Sequence, residues 1–185
     1  MATITSIRES LVAIGTRMDK EKDILFLFLS SHGSKEHELA LNQNNMSLRS
    51  LSATELAALL KESGIRWKVV VVSACYGGGF IDPIKNDRTL VIAAARHDRQ
   101  SFGCSDENDF TYFGRAFFKD ALPQSASFQE AFRKAERSVA AQERSDRNPG
   151  DKKDPGNYSL PQMFNPGPIE KHLQHWWAEA TRREY

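Results

Sequence analysis

A thiol and an imidazole occupy matching places in this sequence, and together they could make and break acyl bonds. Cys75 follows Trp67-Lys-Val-Val-Val-Val-Ser-Ala74 and precedes Tyr76-Gly-Gly-Gly79. His32 follows Asp23-Ile-Leu-Phe-Leu-Phe-Leu-Ser-Ser31 and precedes Gly33. A thiolate is a strong nucleophile, and a neighbouring imidazole can take its proton and later deliver one to a leaving group. Each residue also has a plainer role open to it. A free cysteine is among the most buried residue types, and a lone histidine after a strand is commonly a hydrogen-bonded structural residue. Two apolar runs that each end on a reactive side chain, with glycine close behind, weigh toward a pair.

The pair forms only if the elements carrying it are neighbours. Four successive valines cannot alternate inside and outside, so the run before Cys75 reads as a strand buried on both faces of a sheet. The run before His32 reads as a second strand. Parallel neighbours lie about 5 Å apart, so both side chains would emerge at one edge, where open α/β sheets bind ligands. Thr89-Leu-Val-Ile-Ala-Ala-Ala95 reads as a third buried parallel strand, and its continuation, Arg96 to Cys104, reaches the same edge. Between the first two strands, Ser52-Ala-Thr-Glu55 has the form of a capping box. The helix it opens carries Leu56, Leu59 and Leu60 and stops at Gly64. Strand, helix and strand then make a right-handed βαβ unit.

Cys75 lies 43 residues after His32, and a hydrophobic strand-His-Gly followed by a hydrophobic strand-Ala-Cys resembles the paired signatures of caspase-like (clan CD) cysteine peptidases. The caspases' own Gln-Ala-Cys-Arg-Gly block is absent. Leu29-Ser-Ser-His-Gly33, Ser73-Ala-Cys75 and Ala93-Ala-Ala-Arg-His-Asp-Arg-Gln-Ser-Phe-Gly103 are similar to the legumain (hemoglobinase, asparaginyl endopeptidase) branch in its bacterial form, from about Asp23 to Leu122. The resemblance implies an α/β, three-layer αβα caspase-like fold with a mainly parallel sheet. It implies a thiol endopeptidase acting on a peptide or protein substrate, with His32 and Cys75 catalytic and no third triad member, metal or organic cofactor. The oxyanion would be held by the backbone N–H groups of Gly33 and Cys75. The missing Cβ of Gly33 would let substrate approach its amide, and Gly77 to Gly79 would give similar room beside the nucleophile.

Three further positions bear on substrate binding. In legumain-like enzymes the serine matching Ser101 lines the pocket for the residue before the scissile bond; on the residues alone, a turn serine capping its own loop reads equally well. Ser73 stands where those enzymes carry an acid two residues before the nucleophile. Arg115 aligns with a second acid, with Asp109 the alternative occupant. Loss of negative charge there favours an acidic or neutral side chain over a basic one. Two other functions share the motif: a transamidase or peptide ligase, and a non-catalytic caspase-like interaction module. A flavodoxin-like small-ligand binder is a more distant rival, lacking a Gly-rich phosphate loop.

The remaining sequence reads as one domain spanning residues 1–185. Lys and Arg number 25 against 24 Asp and Glu, a balance that does not indicate nucleic-acid binding. Two cysteines exclude a disulfide framework. No apolar run has the length of a membrane span and no signal peptide is evident, which makes a soluble, cytoplasmic chain the default expectation. Ile4, Ile7, Leu11, Ile14 and Met18 form one stripe of an amphipathic helix. It stands where the family's domain begins with a strand, so the sheet is expected to lack that strand. Ile24 to Leu29 would then be an edge, open to self-association. Residues 36–48 suggest a hairpin, Phe110 to Phe118 a helix start with core aromatics, and Ser127-Phe-Gln-Glu130 a second capping box opening a helix toward Arg144. Residues 145–157 read as a mobile loop and Tyr158 to Phe164 as a short strand. Residues 168–183 read as a helix with Leu173, Trp176 and Trp177 facing inward. His37, a rival base flanked by two glutamates, reads as a solvated loop residue, His97 as a loop residue, and Cys104, with no His beside it and no Gly-rich turn after it, as a bystander.

Overall fold

Among the described residues, the valine run becomes the centre of a four-stranded sheet. The computed structural model describes residues 3–43, 46–103, 110–146 and 158–182; most of the expected loop at 145–157, together with Cys104 and Asp109, lies outside them. Strand β1 (Ile24–Ser30) is followed by β2 (Glu38–Leu39), β3 (Asn42–Gln43), β4 (Met46–Ser47) and β5 (Leu51–Ser52). Then come α2 (Ala53–Glu62), β6 (Trp67–Ser73), α3 (Ile81–Ile84) and β7 (Thr89–Ala93). The main sheet has the order β1-β6-β7-β8, in which β8 (Gln162–Phe164) alone runs antiparallel. The small strands form two antiparallel ribbons, β2 with β5 and β3 with β4, so the expected hairpin is there.

Alternation of side chains along β6 divides the valines between two cores. Val70 and Val72 face Leu11 of α1 (Ile4–Gly15) and Leu56, Leu59 and Leu60 of α2. Val69 and Val71 face Phe113 and Phe117, Ala135 and Val139 of α5 (Phe128–Ser145), and Ile169 and Leu173 of α6 (Gly167–Arg182). All four valines are at most 1% exposed; burying each contributes about 1.5–3 kcal/mol. Helices therefore cover both faces of a mainly parallel sheet, the three-layer α/β arrangement that the sequence predicts.

Among the described residues, strand β1 is paired on one side only, as expected of an edge. Its apolar run is incompletely covered, Phe26 being 43% and Phe28 44% exposed. Phe118 sits edge-on to both rings, and Phe128 stacks on Phe26. Helix α1 packs against α2.

Several local readings need correction. The α1 stripe is interrupted: Ile4, Ile7, Leu11 and Met18 pack on the core, but Ile14, inside the helix, is 41% exposed. Ser52 does cap α2, accepting from the Glu55 N–H at 3.2 Å. The reciprocal half of that box is missing, since the Glu55 carboxylate pairs with Arg49 at 2.6 Å. Ser127 likewise accepts from the Glu130 N–H, while the Glu130 carboxylate accepts from Ala126 rather than from Ser127. A reciprocal box forms instead at Thr3 and Ser6. The helix expected from Phe110 is a short α4 (Tyr112–Gly114) running into a wide π turn over Arg115–Ala121, and Phe110 is exposed while Phe113 and Phe117 are buried. Trp176 is 49% exposed and sits edge-on to Trp177, which is itself edge-on to Phe128. Adjacent residues on a helix point about 100° apart, so both indoles cannot face inward. Among the described residues, no helix is long and apolar enough to cross a membrane.

Candidate active site

Strands β1 and β6 pair in parallel register from Ile24–Trp67 to Ser30–Ser73, every pair 43 residues apart. His32 and Cys75 have the same separation and each lies two residues past the last pair. The sequence spacing and the sheet register thus coincide, and the two residues leave adjacent strands side by side. The backbones also touch there: a Cβ on Gly33 would stand 2.0 Å from the Cys75 carbonyl oxygen and 3.2 Å from the Ala74 Cβ.

The hairpin after β1 holds the histidine's backbone. Ala40 donates to the His32 carbonyl at 2.9 Å, and Ser34 donates to the Glu38 carbonyl at 3.0 Å. The Ser31 hydroxyl donates to the Ala40 carbonyl at 2.6 Å. The His32 side chain is exposed.

The loop after β7 holds the thiol. The Ser101 N–H donates to Cys75 Sγ at 3.3 Å, and the thiol donates to the Ser101 carbonyl at 3.6 Å. That loop is fixed by Tyr76 donating to the Arg99 carbonyl at 2.7 Å and Gly78 to the Ala95 carbonyl at 2.8 Å. Arg96 grips Asp98 through two hydrogen bonds, of 2.5 and 2.9 Å, and these hold the Asp98 carboxyl down to about 2.

The glycines behind the nucleophile pack closely within the protein. The left-handed residue after Cys75 is Tyr76, at φ 57°, whereas Gly77–Phe80 form a single tight turn. The space that Gly78 leaves open is taken by Gln162 Oε1 at 2.5 Å and the His97 backbone nitrogen at 2.6 Å. A Cβ on Gly79 would stand 2.1 Å from the His37 ring. Gly78 and Gly79, like Gly33, stand in close contact with other parts of the same chain. His37, also left-handed at φ 60°, is therefore packed against the turn after the nucleophile, with its ring 6.4 Å from that of His97. Among the described residues its Nδ1 is buried without a partner. Nothing local in the sequence signals this placement.

Of the expected pocket residues, two lie beside the thiol. Ser101 is buried against it, and Ser73 is buried two residues before it. The Ser73 hydroxyl lies 3.4 Å from that of Thr111, which also caps α4 by accepting from the Gly114 N–H at 3.0 Å. Thr111 is the residue that sequence reasoning missed; a threonine ahead of an aromatic-rich helix is its only signal. Arg115 donates its backbone N–H to the Thr111 carbonyl at 2.9 Å, but its exposed guanidinium lies 3.7 Å from Asp120. The structure does not bring its charge to Ser73. Among the described residues, no group of three His, Cys, Asp or Glu side chains could hold a metal ion.

No curated protein matches this sequence. The model of the peptidase C13 family matches it over residues 9–163. That span contains both strand ends, the Ser101 loop and most of the sheet, and on this match the chain belongs to the peptidase C13 family, the legumain family of caspase-like cysteine peptidases.

Proposed function

We propose that the protein is an endopeptidase in which Cys75 is the nucleophile and His32 its base. The observation carrying this reading is the shared register of the two residues at the carboxyl edge of adjacent parallel strands. Cys75 Sγ attacks the scissile carbonyl as its proton passes to His32, and the imidazolium then protonates the departing amine. Water, deprotonated by the same imidazole, hydrolyses the thioester and restores the thiol. Among the described residues, the N–H groups of Gly33 and Cys75 donate to no protein acceptor, which suits them to the oxyanion. The Cys75 thiol turns to Ser101 in the free protein; catalytic hydrogen bonds are often unformed before substrate enters. A peptidyl electrophile should label Cys75 stoichiometrically, and labelling that survives Cys75→Ala would defeat the assignment. Product carrying an added amine in place of water would identify the ligase reaction instead.

The same reading predicts specificity. Ser73 supplies no negative charge to the pocket beside Ser101, and its hydroxyl meets the neutral hydroxyl of Thr111. A peptide library should be cut after acidic or neutral residues in preference to basic ones. Cleavage chiefly after Lys or Arg would refute this.

Self-association follows from β1. Among the described residues no strand pairs with its outer side, which lies beside exposed Phe26 and Phe28, a template that a second copy matches by antiparallel β1-to-β1 pairing about a two-fold axis. Light scattering should show a concentration-dependent dimer that Phe28→Lys weakens. A monomer at all concentrations would remove the idea.

A further inference from the structure

At the opposite end of the sheet, where α2 ends and β6 and β7 begin, the surface opens into a cleft of about 650 Å³. That volume is within the usual range for small-ligand sites. Among the described residues, six cationic side chains line it, Lys20, Lys61, Arg66, Lys68, Lys85 and Arg88, against one carboxylate, that of Glu21. The whole chain is nearly balanced, with 25 basic and 24 acidic residues, so this concentration of charge is local. Arg66 pairs with Glu21, and Lys85 pairs with Asp82 at 2.7 Å. Among the described residues, Lys20, Lys61, Lys68 and Arg88 make no ion pair.

Lys68 is the least expected of them. It is 7% exposed, and its ammonium donates to the carbonyls of Ile65 at 2.6 Å and Arg66 at 3.1 Å. One of its three N–H groups is left over. Burial, and then the charge of Arg88, hold its pKa down to about 8. Burying a cation with no counter-charge is costly, and a bound anion would supply that charge. Arg66 adds a second unmet donor, its Nε being buried without a partner among the described residues. Among the described residues that line the cleft, none is aromatic. Lys68 precedes Cys75 by seven residues, about 23 Å along an extended strand, so the cleft is separate from the catalytic edge.

We propose that this cleft binds a compact, multiply charged oxyanion carrying two or more phosphate groups, held by Lys61, Lys68 and Arg88. Titration calorimetry of the full chain with inorganic tripolyphosphate should show saturable one-to-one binding, accompanied by a rise in Tm. Lys61→Glu and Arg88→Glu, both at exposed positions, should each weaken binding about 10- to 100-fold, the worth of one charge-assisted contact. Lys68→Met should abolish it; because that variant can also unsettle the fold, the two exposed variants carry the test. Arg133→Glu and Arg137→Glu on α5, on the other face of the sheet, should leave binding unchanged. Co-sedimentation with vesicles bearing multiply phosphorylated lipid headgroups would identify a headgroup as the source of the anion, and its absence would identify a free solute; either accords with the site. The proposal is overturned by no binding at millimolar tripolyphosphate, by equal losses in the α5 variants, or by equal affinity for a DNA duplex.

Discussion

Cys75→Ala should abolish peptide hydrolysis, and His32→Ala should lower kcat/KM by about 1,000-fold or more. The first change removes the atom that bonds to substrate. The second leaves the thiol without a partner for either proton transfer, a loss equivalent to about 4 kcal/mol of transition-state stabilisation. Neither position is in the deep core: Cys75 is half-buried and His32 exposed. Both variants should therefore fold with near-normal Tm, which separates a catalytic loss from a structural one. Because the two residues act as a unit, the double variant should be scarcely worse than Cys75→Ala alone. Cys104→Ala should keep most of the activity, since nothing in its sequence setting supplies a base. Equal losses from the two cysteine substitutions would sink the assignment, and so would an unimpaired His32→Ala enzyme with a dead His37→Ala counterpart.

Gly33→Ala should be the most damaging single-methyl change at the site. The added carbon would meet the Cys75 carbonyl oxygen at 2.0 Å, a backbone atom that cannot rotate away. Relief requires moving either the end of β6 or the hairpin that Ala40 and Ser34 pin to the His32 segment. Overpacking of this kind costs about 1–3 kcal/mol, enough to lower Tm by roughly 2–8 °C. Activity should fall further than stability does. The Gly33 and Cys75 amides would be displaced together, and an error of about 1 Å in such a site costs on the order of 100-fold in rate. Gly167→Ala is the matched control, because nothing lies within 4 Å of the Cβ it would add. A Gly33→Ala protein with normal turnover would show that the contact has no role in positioning the site.

Much of the scaffold could be read in advance because local signals carry it. Unbroken valines at 69–72 specify a strand with both faces covered, whatever the covering elements are. Ser52 and Ser127 specify helix starts, and Gly64, at φ 66°, a helix end. The same signals misled wherever a partner came from elsewhere. Glu55 and Glu130 have the spacing of capping-box acids, yet Arg49 and Ala126 take their carboxylates. Ile14 has the spacing of a core residue, yet it is 41% exposed although it lies inside the helix.

The sequence by itself determined that a histidine and a cysteine end two successive strands, and its spacing of 43 residues is also the register in which those strands pair. Strand ends and punctuation are properties of consecutive residues, so they are written along the chain. Tertiary structure alone decided what each glycine is for. Gly33 admits the Cys75 carbonyl, Gly78 admits Gln162 and the His97 backbone, and Gly79 admits the His37 ring. It also decided that six cations drawn from residues 20–88 of a nearly neutral chain converge on one cleft. Close approach and summed charge depend on distances between residues far apart in sequence, and those distances exist only once the sheet and its helices have packed.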